Sequence, residues 1–173
     1  MALTELFNPD IIQKRVLELG AEISRDFQDK KIIAVCVLKG AVLFYSDLIR
    51  TLNIDMEMDF VRLSSYGNEK SSSGNVTFSI DMETSIKDRH VLIVEDIIDT
   101  GLSITHLLRI LKDRNPRSLS LCALIDKQER RQVQVQVDYT GFVLQEGFIV
   151  GYGLDYAQKY RNLPGVFNLS QDE

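Results

Sequence analysis

Apolar positions along the chain follow two alternating rhythms. Ile12, Val16, Leu19, Ile23 and Phe27 recur three or four residues apart, the spacing of one helical face. Asn8 can cap this helix, Pro9 suits its first position, and Gly20 is a weak point within it. Lys31 to Leu38 reads as a buried strand rich in Ile and Val. A tight turn, Leu38-Lys39-Gly40, opens a second helix over about Ala41 to Thr51, with apolar Val42, Leu43, Tyr45, Leu48 and Ile49. Met56, Met58 and Phe60 alternate with charged residues as a strand does. Ser64 to Asn75 is a polar loop, and Val76 to Ile80 its returning strand, so the pair forms a long hairpin arm. His90 to Glu95 is another buried strand. It runs through acids and a Thr-Gly turn into a helix with Ile104, Leu107, Leu108 and Leu111, which Pro116 ends. Leu119 to Ile125, Phe142 to Leu144 and Phe148 to Tyr152 give three more strands. Apolar strands alternating with amphipathic helices predict an α/β fold with a mostly parallel twisted sheet flanked by helices. Such sheets bind ligands beyond the carboxyl ends of their strands, where the turns after Leu38 and Glu95 lie.

Composition narrows the class without changing the fold. The chain has 173 residues, 45% hydrophobic and 26% charged, enough for one globular domain with a core and too apolar for disorder. No internal repeat or linker-like tract divides it. The longest apolar run, Ile32 to Leu38, falls far short of the roughly 20 residues of a membrane span. The start MALTELFNPD lacks a basic n-region, and Cys36 and Cys122 sit in apolar runs as buried reduced thiols; a cytoplasmic protein is expected. With 20 basic and 25 acidic side chains the net charge is −5. General nucleic-acid binding, driven by Lys and Arg on phosphates, is therefore not expected, and neither is membrane binding. A phosphorylated small molecule remains open, since backbone N–H groups, one or two cations and a metal ion can hold it.

The chemistry concentrates in VLIVEDIIDTGLSI, Val91 to Ile104. Glu95, Asp96 and Asp99 crowd three carboxylates into five positions as the strand ends. Their mutual repulsion needs a compensating role: a metal ion, sugar hydroxyls or a proton to be taken. Thr100-Gly101-Leu102-Ser103 then starts a helix whose free N–H groups, with two hydroxyls, make an anion site. Gly101 allows close approach of the backbone to a phosphate. Acids beside a phosphate cradle suit a phosphorylated sugar.

Glu95-Asp96-Ile97-Ile98-Asp99-Thr100-Gly101 resembles the phosphoribosyl diphosphate (PRPP) motif of the type I phosphoribosyltransferases, in the form found in hypoxanthine-guanine phosphoribosyltransferases. Leu38-Lys39-Gly40 is similar to that family's diphosphate loop, where a non-proline cis peptide precedes the lysine; this chain has Ala41 where a second glycine is common. Phe60 to Tyr66 resembles the entry to the mobile lid, with Ser65 and Tyr66 as its Ser-Tyr pair. Lys127 matches the lysine that reads the purine 6-oxo group, Phe148 to Tyr156 the purine-side motif, and Arg161 a diphosphate-binding arginine.

The resemblance implies transfer of a phosphoribosyl group from PRPP to hypoxanthine, and to guanine or xanthine, giving the nucleotide and diphosphate in purine salvage. It assigns Asp99 as general base. Glu95, Asp96, Ile98, Asp99 and Thr100 to Ser103 (including Gly101 and Leu102) hold the ribose and 5-phosphate. Lys39, Gly40 and Arg161 hold the diphosphate, and Lys127, Phe148, Ile149 and Asp155 the base. The implied cofactor is Mg2+, near Glu95, Asp96 and Asp155. The implied arrangement is one domain over 1–173, with a core near 30–140, a lid at 64–75, and a hood from the N-terminal segment and about 141–173. A homodimer or homotetramer is implied as well.

Taken singly, these residues have plainer readings. Lys127 is an ordinary strand-end lysine, Phe148 a core side chain, Arg161 a surface charge, Lys39 a strand-end cap, and His90 and His106 structural. Gly151-Tyr152-Gly153-Leu154-Asp155-Tyr156-Ala157 fits a dinucleotide glycine pattern, but too few residues follow for the βαβ unit. No GxxxxGK[ST] loop occurs. A two-component receiver domain would place its paired acids after the first strand, not some ninety residues in. The remaining alternative is a phosphoribosyltransferase-like regulator that binds nucleic acid, against which the acidic charge weighs.

Overall fold

The computed structural model describes residues 2–65 and 76–170. Its strands are β1 (Ala2–Phe7), β2 (Ile32–Val37), β3 (Met56–Ser65), β4 (Val76–Ile80), β5 (His90–Ile98), β6 (Ser118–Lys127), β7 (Tyr139–Leu144), β8 (Ile149–Val150) and β9 (Val166–Ser170). Its helices are α1 (Pro9–Asp26), α2 (Val42–Ile49) and α3 (Leu102–Asp113). A six-stranded sheet runs β4-β3-β2-β5-β6-β7, parallel except for β4, which pairs antiparallel with β3 and completes the expected hairpin arm. A second, three-stranded antiparallel sheet runs β1-β9-β8.

Alternation along the central strands explains the layers. Ile32, Ala34, Cys36, Leu92, Val94, Cys122 and Leu124 pack with α1 and α2 on one face. Ile33, Val35, Val37, Val91, Ile93, Leu121 and Ala123 pack with Ile104, Leu107 and Leu111 of α3 on the other. Each large aliphatic side chain so buried contributes about 1.5–3 kcal/mol. The first helix forms as its pattern predicts: Pro9 begins it, and the Asn8 carboxamide accepts from the Ile11 N–H at 2.9 Å. Gly20 is there for packing, because a Cβ would lie 1.9 Å from the Thr51 hydroxyl oxygen. Both cysteines are free and buried, and burial pushes the Cys36 thiol up to about 12. Among the described residues no helix is long and apolar enough to cross a membrane.

Several sequence expectations shift. Strand β5 does not stop at Glu95 but continues to Ile98, because Glu95, Ile97 and Ile98 keep their register with Ala123, Ile125 and Asp126 of β6. Strand β6 likewise reaches Lys127, which is its last residue and not two beyond it. In β3 the buried face carries Asp59 and Val61, while Met58 is exposed. Asp59 is tolerated inside because its carboxylate accepts from the Phe60, Glu83 and Thr84 N–H groups. In α2 the buried residues are Phe44, Tyr45 and Leu48, while Val42 and Leu43 are exposed. The strand placed at Phe148 to Tyr152 shortens to Ile149–Val150, since Gly151, Tyr152 and Gly153 have positive φ.

Strands β1 and β9 were not anticipated. The side chains of β1 are mostly exposed, and in β9 the buried Val166 and Leu169 do not alternate with exposed residues, so no apolar period marks either strand; they form by pairing with each other and, for β9, with β8. Phe7 of β1 stacks on Phe142 of β7 at 4.0 Å, joining the two sheets.

Candidate active site

The carboxyl ends of β2, β5 and β6 converge with the segment after β8. Asp96, Asp99, Lys127, Phe148, Ile149 and Asp155 all line one cavity of about 200 Å³, with Ile97, Arg130 and Leu154 between them. Lys39 and Gly40 lie in the loop after β2, where the Leu38-Lys39 peptide is cis. This loop presses on the acids: a Cβ at Gly40 would lie 1.7 Å from a carboxylate oxygen of Asp96. The segment after β8 presses in turn on the loop, for a Cβ at Gly153 would lie 2.0 Å from the Gly40 carbonyl oxygen. Gly153 also has φ +102, which other residues rarely adopt. Glycine at these two points lets three backbone segments meet around one carboxylate.

The acids differ sharply in environment. Burial pushes the Glu95 carboxyl well above the usual carboxylate range, and the Asp96 charge adds to it. Burial also raises Asp96, against the opposing pull of backbone N–H groups and the Arg161 charge. The Glu95 carboxylate accepts from the Asp96 N–H at 3.0 Å, and Asp96 from the Ile97 N–H at 2.8 Å. Asp99 stands between cations, with Lys127 Nζ at 3.9 Å from Oδ1 and Arg130 Nη1 at 3.5 Å from Oδ2. Lys127 is only 5% exposed and also faces Glu129 at 3.2 Å.

Beyond Asp99 the chain turns into α3. Gly101 takes φ +84 ahead of the helix, and the first intrahelical bond runs from the Thr105 N–H to the Gly101 carbonyl. The N–H groups before it face out of the helix start, beside the Thr100 and Ser103 hydroxyls. The Leu102 N–H reaches the Thr100 hydroxyl at 3.3 Å, and Leu102 and Ser103 are exposed. Ile98 is buried, so its backbone faces the turn while its side chain belongs to the core.

On the far wall, Phe148 is 48% exposed and meets Tyr156 edge-on at 5.5 Å. A core aromatic would not be left so open. Asp155 and Arg161, assigned separately from the sequence, are partners: Arg161 Nη2 lies 2.6 Å from Asp155 Oδ1 and Nη1 donates to the Gly153 carbonyl. Asp155 also accepts from the Gln158 N–H at 2.8 Å. Arg161 thus braces the segment after β8 through Asp155 and Gly153. Ser65 closes β3, paired with Val76 of β4. Tyr66 and the rest of the expected lid lie outside the described residues.

Among the described residues, two buried side-chain polar atoms have no hydrogen-bond partner: Asp99 Oδ1 and Arg161 Nε. Buried polar atoms are nearly always paired, so both retain hydrogen-bonding capacity that the described residues do not use. The sequence reading passed over Arg130 and Arg131. Their only signal is position, in Lys127-Gln128-Glu129-Arg130-Arg131 directly after a strand that ends at the crevice. Arg131 donates to the backbone of both strand ends.

Residues 3–157 match the phosphoribosyl transferase domain family. A hypoxanthine-guanine-xanthine phosphoribosyltransferase of Tritrichomonas foetus is 49% identical over 162 residues, 93% of this chain and 88% of that protein. A hypoxanthine-guanine phosphoribosyltransferase of Bacillus subtilis is 45% identical over 93% of this chain and 89% of its own length. The crystal structure of a hypoxanthine-guanine phosphoribosyltransferase from Bacillus anthracis superposes with TM-score 0.91 at 41% identity, covering 96% of this chain and 98% of that one. The chain belongs to the phosphoribosyltransferase family, in its hypoxanthine-guanine branch.

Proposed function

We propose that this protein transfers the 5-phosphoribosyl group of PRPP to hypoxanthine and guanine, with xanthine as a further base, releasing diphosphate in purine salvage. The observation that carries the reading is the pair of buried atoms without a hydrogen-bond partner: Asp99 Oδ1, on a residue that lines the cavity, and Arg161 Nε, on the side chain that pairs with Asp155. An unpaired acceptor suits a proton on the incoming base, and an unpaired donor suits a diphosphate oxygen.

In this reading the N–H groups and hydroxyls of Thr100 to Ser103 hold the 5-phosphate. Glu95 and Asp96 accept from the ribose hydroxyls, directly or through metal-bound water. Lys39, Gly40 and Arg161 take the diphosphate. Phe148 stacks on the purine, backbone groups at Ile149 and Asp155 read its other edge, and Lys127 donates to O6. Adenine presents a donor at that position and is rejected. Asp99 accepts the N7 proton as the base attacks. The negative charge of the acidic turn stabilises the cationic character that develops at the anomeric carbon.

Glu95 and Asp96 offer adjacent carboxyl groups raised by burial, a donor set that suits Mg2+, with Asp155 across the cavity as a second anchor. Among the described residues no group of three or more His, Cys, Asp and Glu is placed to hold a metal alone. Substrate oxygens would therefore complete the shell, as Mg2+ prefers. When bound, the ion neutralises charge on the leaving diphosphate.

We further read the chain as one domain, with a core near 30–140 and a hood formed by the N-terminal segment and about 141–173. A cytoplasmic homodimer or homotetramer accompanies this reading. The test is a Mg2+-dependent assay with PRPP against hypoxanthine, guanine, xanthine and adenine. Formation of IMP and GMP with little or no AMP is expected. Turnover of adenine at the hypoxanthine rate, or of no purine at all, would refute the assignment.

A further inference from the structure

We propose that Arg131 is a positioning residue that fixes the proton-accepting carboxylate relative to the base-reading lysine. The proposal rests on the phosphoribosyl-transfer reading above. Asp99 directly follows β5 and Lys127 ends β6, and their cooperation depends on how the two strand ends are held. The β5–β6 register ends at Ile98↔Asp126. Past that pair the ladder no longer ties Asp99 to Lys127.

Arg131 lies where the ladder stops. Its Nε donates to the Asp99 carbonyl at 2.9 Å, and its Nη2 to the Ile98 carbonyl at 3.0 Å and the Lys127 carbonyl at 3.1 Å. Nη2 also pairs with the Asp126 carboxylate. One guanidinium thus spans acceptors on both strand ends, and its side chain is only 11% exposed. The rigid planar fork suits this task, whereas a lysine ammonium offers a single point of charge. The hold extends to the phosphate turn: the Gln132 and Val133 N–H groups donate to the Thr100 carbonyl at 2.9 and 3.2 Å. The Arg131 stem closes on the same turn, since a Cβ at Gly101 would lie 3.3 Å from Arg131 Cδ. Arg131 is not among the residues that line the cavity, whereas Arg130 is. It therefore acts through Asp99 and Lys127 rather than on substrate.

A role confined to folding would lower thermal stability and leave turnover intact in the folded protein. Positioning has a different signature. Arg131→Lys and Arg131→Ala, assayed well below their melting temperatures, are expected to lose roughly 10- to 100-fold in kcat, the scale of small misplacements in an active site. KM for PRPP should change less than about threefold, because the acids and the diphosphate loop keep their own contacts. Millimolar methylguanidinium, but not methylammonium, should restore part of the activity of Arg131→Ala. If Arg131→Ala does not fold by circular dichroism, Arg131→Lys carries the comparison.

Wild-type turnover together with variants whose kcat stays within about twofold would overturn the positioning role and leave the functional reading standing. Equal rescue by methylammonium would also overturn it, since charge alone would then suffice. Absence of turnover in the wild type would refute the functional reading, and this proposal with it.

Discussion

Asp99 and Glu95, four residues apart, sit in opposite electrostatic settings. Asp99 lies between Lys127 and Arg130 and keeps one oxygen unpaired. The general-base role proposed for it would be worth about 10²–10⁴ in rate. Asp99→Asn keeps the shape and loses the proton acceptor, so kcat should fall by about that factor while PRPP affinity stays within a few-fold. Steady-state kinetics with a calorimetric titration check both halves. Glu95 has its carboxyl raised by burial and then by the Asp96 charge. The folded state therefore holds that proton more tightly than the unfolded chain does. The stability this contributes is fully present below the unfolded value and is lost as pH rises through the folded one. At neutral pH, above the unfolded value, the buried Glu95 carboxyl is thus a cost to folding. Glu95→Gln should melt about 2–4 °C higher near pH 7, show no gain near pH 4, and transfer the phosphoribosyl group more slowly. Scanning calorimetry at the two pH values decides it; an unchanged or lower melting temperature near neutrality would contradict the burial argument.

Between residues and the whole lie the turns, and these separate what the sequence announces from what it hides. The loop between β2 and α2 has its shape set by Asp96, a residue of β5. In Gly40→Ala the new Cβ must displace that carboxylate or the loop, costing about 1–3 kcal/mol as overpacking does. Melting temperature and PRPP affinity should fall together; an unchanged affinity would mean that the contact is slack. Strongly periodic elements were legible from their residues alone. The α1 face and its Asn8 cap, the buried runs of β2 and β5, and the Thr-Gly start of α3 all have local causes. Strand ends were not: β5 and β6 run on past their apolar cores because each holds the other in register. Strands β1 and β9 escaped because neither has an alternating buried face, only partners distant in sequence. In the site, the carboxylates and the Thr-Gly turn could be read because their crowding is a local anomaly. The Asp155–Arg161 pairing and the four acceptors of Arg131 could not, since both depend on how distant segments meet.

At the scale of the molecule, the architecture places two kinds of chemistry on opposite walls of one crevice. The parallel sheet supplies the acids, the helix start and Lys127 from its strand ends. The smaller sheet carries Ile149 on β8, with Phe148 just before it, and is tied to the rest by the Phe7–Phe142 stack and by the fit of Gly153 on Gly40. A net charge of −5 does not by itself prevent the binding of a polyanion, because local donors can hold one without a general field. The central claim is that the acidic end of β5 and the start of α3 together grip a phosphorylated ribose. Titrating PRPP into the protein by calorimetry, with Mg2+ present, tests it most directly. The account predicts saturable uptake, near one molecule per chain, that weakens strongly in Gly40→Ala and survives in Asp99→Asn. No heat of binding in the wild type would contradict it.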